Sequence, residues 1–454
     1  MHSGYPVREV VDLTDESHNT IFNMTVEEAR ALVGGDEPDR VRSIEGNFAL
    51  VAQHGHIIRM ARSLSVPMRY FVAKKADGPS LVVAHRIEDI RHWLEEHGRQ
   101  VGLPMIDQFH PTYTRMVPAH HVTEIALVGC PDPSPKHERF FAPKRETLAP
   151  DLDAIGEAYI RAVADVTRKW LGSLPDDAPI GVCFSGGIDS GAVFLVTYHL
   201  MLSLGMNPGR LKAFTLSIDE SGEDLVQARQ FLETLDLGMF LEPIDVPSSS
   251  IDLNEVVRVA EDYKPLDIQA AAMTLALCRG IRQRYPSWRH LIDGDGGDEN
   301  LKDYPIEENP ELTIRSVLNN SMLYHEGWGV DSIKHSLVYT GGLSRGCTRT
   351  FAATSLTGFE SFSPFTQPDV IEVAEGIPFI ELTDWDHDRL YKLKGEVVAR
   401  GIKAVTGLSM PVFEKRRFQH GAVKADRSRN LFPESPQAYR RIFQTVFDAE
   451  PAHA

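Results

Sequence analysis

PIGVCFSGGIDSGAVFLVTYHL, residues 179–200, joins two apolar runs through a glycine-serine turn. Ile180 to Phe184 reads as a buried parallel strand and Gly191 to Leu200 as an apolar helix. The turn Ser185-Gly186-Gly187-Ile188-Asp189-Ser190 therefore sits at the carboxyl end of a strand and the amino end of a helix. Such a place suits an anion. The glycines admit close approach of a ligand to the backbone, the helix start offers unpaired N–H groups, and the serine hydroxyls add donors. Asp189 within the cradle repels a phosphate unless a divalent cation lies between them, which points to Mg2+ carried with a nucleotide. A plain helix cap is the competing reading of a turn of this kind.

The string SGGIDS lacks the lysine of a Walker loop and the spacing of a dinucleotide fingerprint. It resembles the PP-loop of the ATP pyrophosphatases, which cleave ATP to AMP and pyrophosphate while adenylating a substrate. Downstream the chain alternates: strand LKAFTLSI, helix EDLVQARQFLETL, strand FLEPIDV, a helical stretch through DLNEVVRVAED, helix IQAAAMTLALCRGIRQRY and strand RHLID. That alternation predicts an α/β fold, a parallel sheet with helices on both faces and ligands beyond the carboxyl ends of its strands. Upstream, DAIGEAYIRAVADVTRKWL predicts a helix from about Leu152 to Leu174. Past Tyr304 the pattern reads as mostly helical.

The last of these strands runs into Asp293-Gly294-Asp295-Gly296-Gly297-Asp298-Glu299, four carboxylates and three glycines in succession. Bare acids this close repel one another, so a cation or a cationic substrate is their natural partner. An EF-hand calcium loop would need its glutamate further on and a helix on each side. A solvated acidic turn is the plainer alternative.

With 454 residues, 42% of them hydrophobic, the chain has enough material for two or three ordinary domains. No run reaches the length of a membrane span, and the charged start MHSGYPVREVVDLTDESHNT is unlike a signal peptide, so a cytoplasmic protein without a membrane partner is expected. Cys130, Cys183, Cys278 and Cys347 are scattered and form no CxxC pair, which argues against a disulfide framework and a zinc site and for free, mostly buried thiols. The net charge of −17 disfavours a nucleic-acid partner.

Residues 1 to about 20 are polar and unpatterned and read as a loosely held arm. TVEEARALVGG reads as a helix capped by Thr25. NFALVAQ, HIIRMARS, MRYFVAKK and SLVVAHR follow as short strands, then IEDIRHWLEEHG as a helix, giving an α+β layer. PDPSPKHERFFAPKRETLAPD, with five prolines, reads as an extended linker. Two domains are expected, residues 1–148 and residues 149–454.

Taken together these stretches resemble the asparagine synthetase family, from about residue 44 to 425. There the SGGxDS loop is followed about a hundred residues later by SG(E/D)G(S/G)DE, matched here by DGDGGDE. ESFSPFTQPDVIEVAEGIP is similar to the family's ExRxPFLD segment, and KLKGEVVARGIKAVTGLSMPVFEKRRFQHGA to its closing helix and lysine motif. The resemblance implies a PP-loop synthetase domain and, before it, a truncated glutaminase-like domain of the Ntn-hydrolase type. It implies ATP and Mg2+ as cofactors. Ser185, Gly186, Gly187, Asp189 and Ser190 would hold the pyrophosphate, and Asp189 with Asp298 the metal. Cys183, Leu216, Asp293 and Gly294 would contact the nucleotide, Asp295 and Glu299 the substrate, and Lys415 would offset phosphate charge. On its own, Lys415 reads as a solvated surface lysine.

The resemblance breaks at the amino terminus. Glutamine-dependent members expose a cysteine after Met1, whereas residue 2 here is His2 and no cysteine precedes Cys130. An ATP-dependent carbon-nitrogen ligase that does not hydrolyse glutamine is therefore expected, joining a small-molecule or peptide carboxylate to an amine, with an ammonia-dependent amide synthetase and a non-catalytic nucleotide-binding scaffold as the alternatives. It would stand nearest the β-lactam and carbapenam synthetases and the lasso-peptide cyclases. Those enzymes employ a Tyr/Glu pair to deprotonate the amine, to which Tyr324 and Glu360 would correspond, Tyr324 having a half-buried helix position as its alternative. A homodimer is the expected assembly. Further departures are Asp293 for a serine, Leu301-Lys302-Asp303 for a Phe-Gly-Gly run, Phe362 for an arginine and Gln367 for an aspartate. They argue against free aspartate as substrate.

Overall fold

The computed structural model describes residues 9–75, 78–101, 105–128, 134–220, 222–303, 313–322, 347–413 and 431–448. They fall into two compact units, one holding the residues up to Ala142 together with Cys347 and those from Gln444 on, the other those from Pro143 to Phe443 apart from Cys347.

The first unit carries β1 (Glu9–Asp12), β2 (Thr20–Ile21), β3 (Gly46–Asn47), β4 (Ala49–His54) and β5 (Ile57–Arg62). It continues with β6 (Arg69–Lys75), β7 (Gly78–Ala84), β8 (Arg115–Met116), β9 (His121–Ala126) and β10 (Lys136–Arg139). Two four-stranded sheets result, in the orders β1-β7-β6-β8 and β10-β9-β5-β4. Helix α1 (Val26–Gly34) starts in a capping box between Thr25 and Glu28 and packs on β4, while α2 (Ile87–Val101) packs on β7. Ile90 and Leu94 of α2 are buried with Phe71, Ala73, Val82 and Ala84.

Two expectations are corrected in this unit. Residues 9–12 are no loose arm, because Glu9 to Asp12 pair in parallel with Ser80 to Val83 and form an edge strand. Residues 136–139, expected within a linker, pair with His121 to Glu124 as a second edge strand. Both runs are short, and their order comes from main-chain hydrogen bonds to a partner strand rather than from an apolar face.

The second unit is built on a five-stranded parallel sheet. Its strands are β11 (Ile180–Cys183), β12 (Leu211–Ile218), β13 (Leu241–Val246), β14 (His290–Ile292) and β15 (Glu360–Phe362), in the order β13-β12-β11-β14-β15. Strand β15 was not expected. It is only three residues long and lies in a stretch that otherwise reads as helix and turn. Helices α3 (Leu152–Ser173), α4 (Ile188–Ser203), α5 (Glu223–Glu233), α6 (Leu253–Ala260) and α7 (Pro265–Arg284) lie between or before the strands. Helix α4 is apolar around its circumference and buries Ala192 through Thr197, as befits a helix enclosed within a sheet-and-helix sandwich.

Helix α3 packs along the helix His387–Thr406. The two backbones meet at Gly156 and Gly401, where a Cβ on Gly401 would stand 2.1 Å from the Gly156 carbonyl oxygen. Only glycine permits that approach. It carries the middle of His387–Thr406 to the carboxyl ends of β11 and β14. Among the described residues no helix is long and apolar enough to cross a membrane.

Candidate active site

The chain places β11 first, adds β12 and β13 on one side, then turns to the other side for β14 and β15. The winding reverses between β11 and β14, so the helices that follow these two strands diverge and leave a crevice at the carboxyl ends. Both chemically loaded stretches leave from this point, Ser185 to Ser190 after β11 and Asp293 to Glu299 after β14.

The first loop is shaped by its own side chains. Gly186 has φ +75°, and a Cβ there would stand 2.8 Å from the backbone of Ala228, so both the turn and its packing on α5 exclude a larger residue. Ser185 Oγ accepts from the Gly187 N–H at 3.3 Å and lies 3.2 Å from Ser190 Oγ. Gly187 caps α4 without a side-chain hydrogen bond, which leaves the first-turn N–H groups to whatever occupies the crevice.

The second loop folds around Asp293. Its Oδ1 accepts from the Ser363 hydroxyl at 2.6 Å and from the Asp295 N–H at 3.0 Å, and its Oδ2 is buried with no hydrogen-bond partner among the described residues. Burial, reinforced by neighbouring Asp295, holds the Asp293 carboxyl well above the usual carboxylate range. Burial also raises Asp295, opposed by the Arg349 charge and by the Thr350 hydroxyl, which donates to Oδ2 at 2.5 Å. Gly296, with φ +96°, then caps α8 (Gly297–Asn300), the short helix that bears Asp298 and Glu299.

The two loops close on each other at Asp189. A Cβ on Gly297 would stand 2.3 Å from Asp189 Oδ1, and one on Gly294 would stand 2.9 Å from the Asp189 Cβ. The glycines of the acidic loop are thus the space into which Asp189 projects. Its partner was missed in the sequence. Lys394, from His387–Thr406, is 2% exposed. Its Nζ donates to Asp189 Oδ2 at 2.5 Å and to Asp298 Oδ1, and lies 3.5 Å from Asp303 Oδ2. Burial by itself would lower the Lys394 pKa, but the charges of Asp189, Asp298 and Asp303 outweigh it and hold the ammonium well above the ordinary lysine value. A signal for it existed. Lys394 falls on the same helical face as Leu390, Val397 and Gly401, all buried, and a lysine on a buried face requires a buried anion.

The predicted metal pair therefore converges on one cation position, for which the Lys394 ammonium stands in. Two carboxylates are part of a donor set of the kind Mg2+ takes, the remainder of which substrate oxygens and water would have to supply. Among the described residues no group of three or more His, Cys, Asp or Glu side chains is arranged to hold a metal ion.

Other expected residues are placed as follows. Leu216 lies in β12 and Cys183 ends β11, both at the carboxyl side of the sheet with Gly294. Burial pushes up the thiols of Cys183 and Cys278, the latter to about 12, so neither is poised as a nucleophile. Glu299 is buried on α8 and Asp295 faces Thr350. Glu360 is not brought to the loops. It opens β15 opposite His290, at the start of the strand pair, where it accepts from Arg289 at 2.9 Å and lies 3.1 Å from His290 Nδ1. The His290 hydrogen bond first, and then the Arg289 bond and charge, hold its carboxyl below the usual range against the opposing effect of burial, a poor setting for a base. Lys415 and Tyr324 lie outside the described residues.

The departures expected to shape a substrate pocket have structural partners. Lys302 is buried and paired with Glu375 at 3.2 Å, Asp303 flanks Lys394, and Phe362 stacks on Trp170 with ring centroids 5.4 Å apart.

Comparison with known proteins agrees with this architecture. Residues 172–337 match the family model described as asparagine synthase. The chain is similar to the glutamine-hydrolyzing asparagine synthetase of Asparagus officinalis, 27% identical over 207 residues, which is 45% of this chain and 32% of the relative. It is also similar to asparagine synthetase 1 of Lotus japonicus, 24% identical over 243 residues, or 53% and 37% of the two chains. The nodule asparagine synthetase of Pisum sativum is 24% identical over 223 residues, 48% and 35%. The match thus spans about a third of the length of each of these relatives. Over residues 172–337, which hold both loops, the chain is thus similar to the asparagine synthetase family.

Proposed function

We propose that this protein is an ATP-dependent, AMP- and pyrophosphate-forming ligase that adenylates a substrate carboxylate and joins it to an amine without hydrolysing glutamine. The observation that carries the reading is the closure of the acidic loop on the glycine-serine loop, with Asp189, Asp298 and Lys394 converging at the switch point. In the first step a carboxylate oxygen attacks the α-phosphorus of ATP, the α–β phosphoanhydride bond breaks, and pyrophosphate leaves. In the second the amine nitrogen attacks the acyl carbon, loses a proton and displaces AMP.

The residues serve this sequence mainly by position and charge. The uncapped start of α4 and the hydroxyls of Ser185 and Ser190 would receive phosphate oxygens. Asp189 and Asp298 would hold Mg2+, which neutralises phosphate charge as the pyrophosphate departs. The carboxyl side of β12 would receive the nucleoside. Independence from glutamine is supported by the lack of any cysteine in residues 1–129. Ammonia is the rival source of nitrogen, distinct from an amine on the substrate.

ATP–pyrophosphate exchange, measured across a broad panel of carboxylates, tests the reading. Exchange is expected with at least one carboxylate and is expected to fall at least about 100-fold in Asp298→Asn. If neither exchange nor ATP binding occurs with any of them, the chain is a scaffold on this fold and the proposal fails. Labelled ammonium entering the product would assign the nitrogen to ammonia.

A further inference from the structure

The position that the two loops offer to a metal is held by the protein's own lysine. The Lys394 ammonium has three N–H donors, and three carboxylates surround it: Asp189 and Asp298 in hydrogen-bond contact and Asp303 at 3.5 Å. At 2% exposure it has little access to water. Its partners need it. Asp189 is pressed against Gly297 and Gly294, and two carboxylates forced together there with no cation between them would repel strongly in a medium of low polarity. A divalent ion entering the same gap must take the carboxylate oxygens that the ammonium now occupies, and it then stands within a few ångströms of a second positive charge. That crowding is relieved only if further negative charge arrives. The phosphates of a nucleotide supply it.

We propose that Lys394 is the resident counter-cation of the Asp189–Asp298 position, so that the protein admits a divalent ion there only in company with the nucleotide. Asp303, buried beside Lys394 and outside both loops, gives the ammonium a partner to keep when the other two are taken. The inference rests on the nucleotide reading above. It adds to that reading an order of events: the metal is excluded from the resting protein and enters with its anionic ligand. Because linkage is reciprocal, the metal must tighten nucleotide binding by the same factor by which the nucleotide tightens metal binding.

The test is a titration of the full chain with MnCl2, followed by water-proton relaxation, with and without α,β-methylene-ATP. The wild type is expected to hold Mn2+ at least tenfold more tightly when the analogue is present. Lys394→Gln without the analogue is expected to hold Mn2+ at least tenfold more tightly than the wild type, and Lys394→Met to behave alike. Equal affinity of wild type and both variants in the absence of nucleotide overturns the proposal and leaves the ligase reading standing. No Mn2+ uptake by the wild type even with the analogue overturns both. Should the variants be too unstable to titrate at ambient temperature, melting curves carry the test. MnCl2 alone is expected to raise the melting temperature of each variant more than that of the wild type, and an equal or smaller rise counts against the counter-cation.

Discussion

At the scale of single residues, the site concentrates ionisable groups that burial holds away from their ordinary behaviour. Asp293 shows what this costs. Burial first, and the neighbouring Asp295 charge second, raise its carboxyl, so the folded chain keeps a proton that the unfolded chain releases at an ordinary carboxylate value of about 3.9. Its contribution to stability is therefore fullest in acid and declines as pH rises from that value toward the raised one. Asp293→Asn retains an oxygen to accept from Ser363 and the Asp295 N–H, and it has no charge to bury. The variant is expected to gain stability over the wild type at pH 7 in urea unfolding, with the gain shrinking toward pH 4. A gain of the same size at both pH values would remove Asp293 as the cause. Such an acid was visible in the sequence only as one of several in a row. Its raised pKa comes from burial in the folded sheet and is opposed by the Ser363 hydroxyl, seventy positions away, and no local pattern reports either.

At the scale of elements, the crossing of α3 with His387–Thr406 sets the position of Lys394. The contact is made by glycines on both helices, so adding one methyl group at Gly401 forces the axes apart. Gly401→Ala is expected to destabilise the chain by about 3 kcal/mol, the upper end of ordinary overpacking, since backbone rather than a flexible side chain blocks the way. Chemical denaturation gives that number directly, and a loss under about 0.5 kcal/mol, the scale of a surface substitution, would mean the helices can separate without penalty. Elements with strong periodicity could be read directly. LKAFTLSI is β12 from end to end, and Thr25 caps α1 as its spacing with Glu28 implies. Among the elements missed, β1, β10 and β15 are three or four residues long and owe their order to a neighbouring strand, whereas β9, six residues long, was missed although most of it is buried. Lys394 was missed for a related reason. A lysine in a helix is ordinarily a solvated residue, and only its register against Leu390 and Val397 marks it as buried.

At the scale of the whole molecule, 64 acidic against 47 basic residues give a net negative charge that disfavours the binding of large polyanions. A tRNA-sized RNA is accordingly expected not to bind at 50 mM salt in a filter-retention assay, and retention that weakens steeply with added salt would count against a small-molecule substrate. The sheet order has a bearing on how the molecule is made. Its central strand β11 is synthesised first, and its neighbour β14 more than a hundred positions later, with β12 and β13 laid down between them on the far side. Asp189 and Asp298 stand 205 and 96 positions from Lys394, so their shared bond closes very large loops of chain. Such contacts form late. On a translating ribosome the nascent chain would thus expose two negatively charged turns long before the lysine that neutralises them emerges.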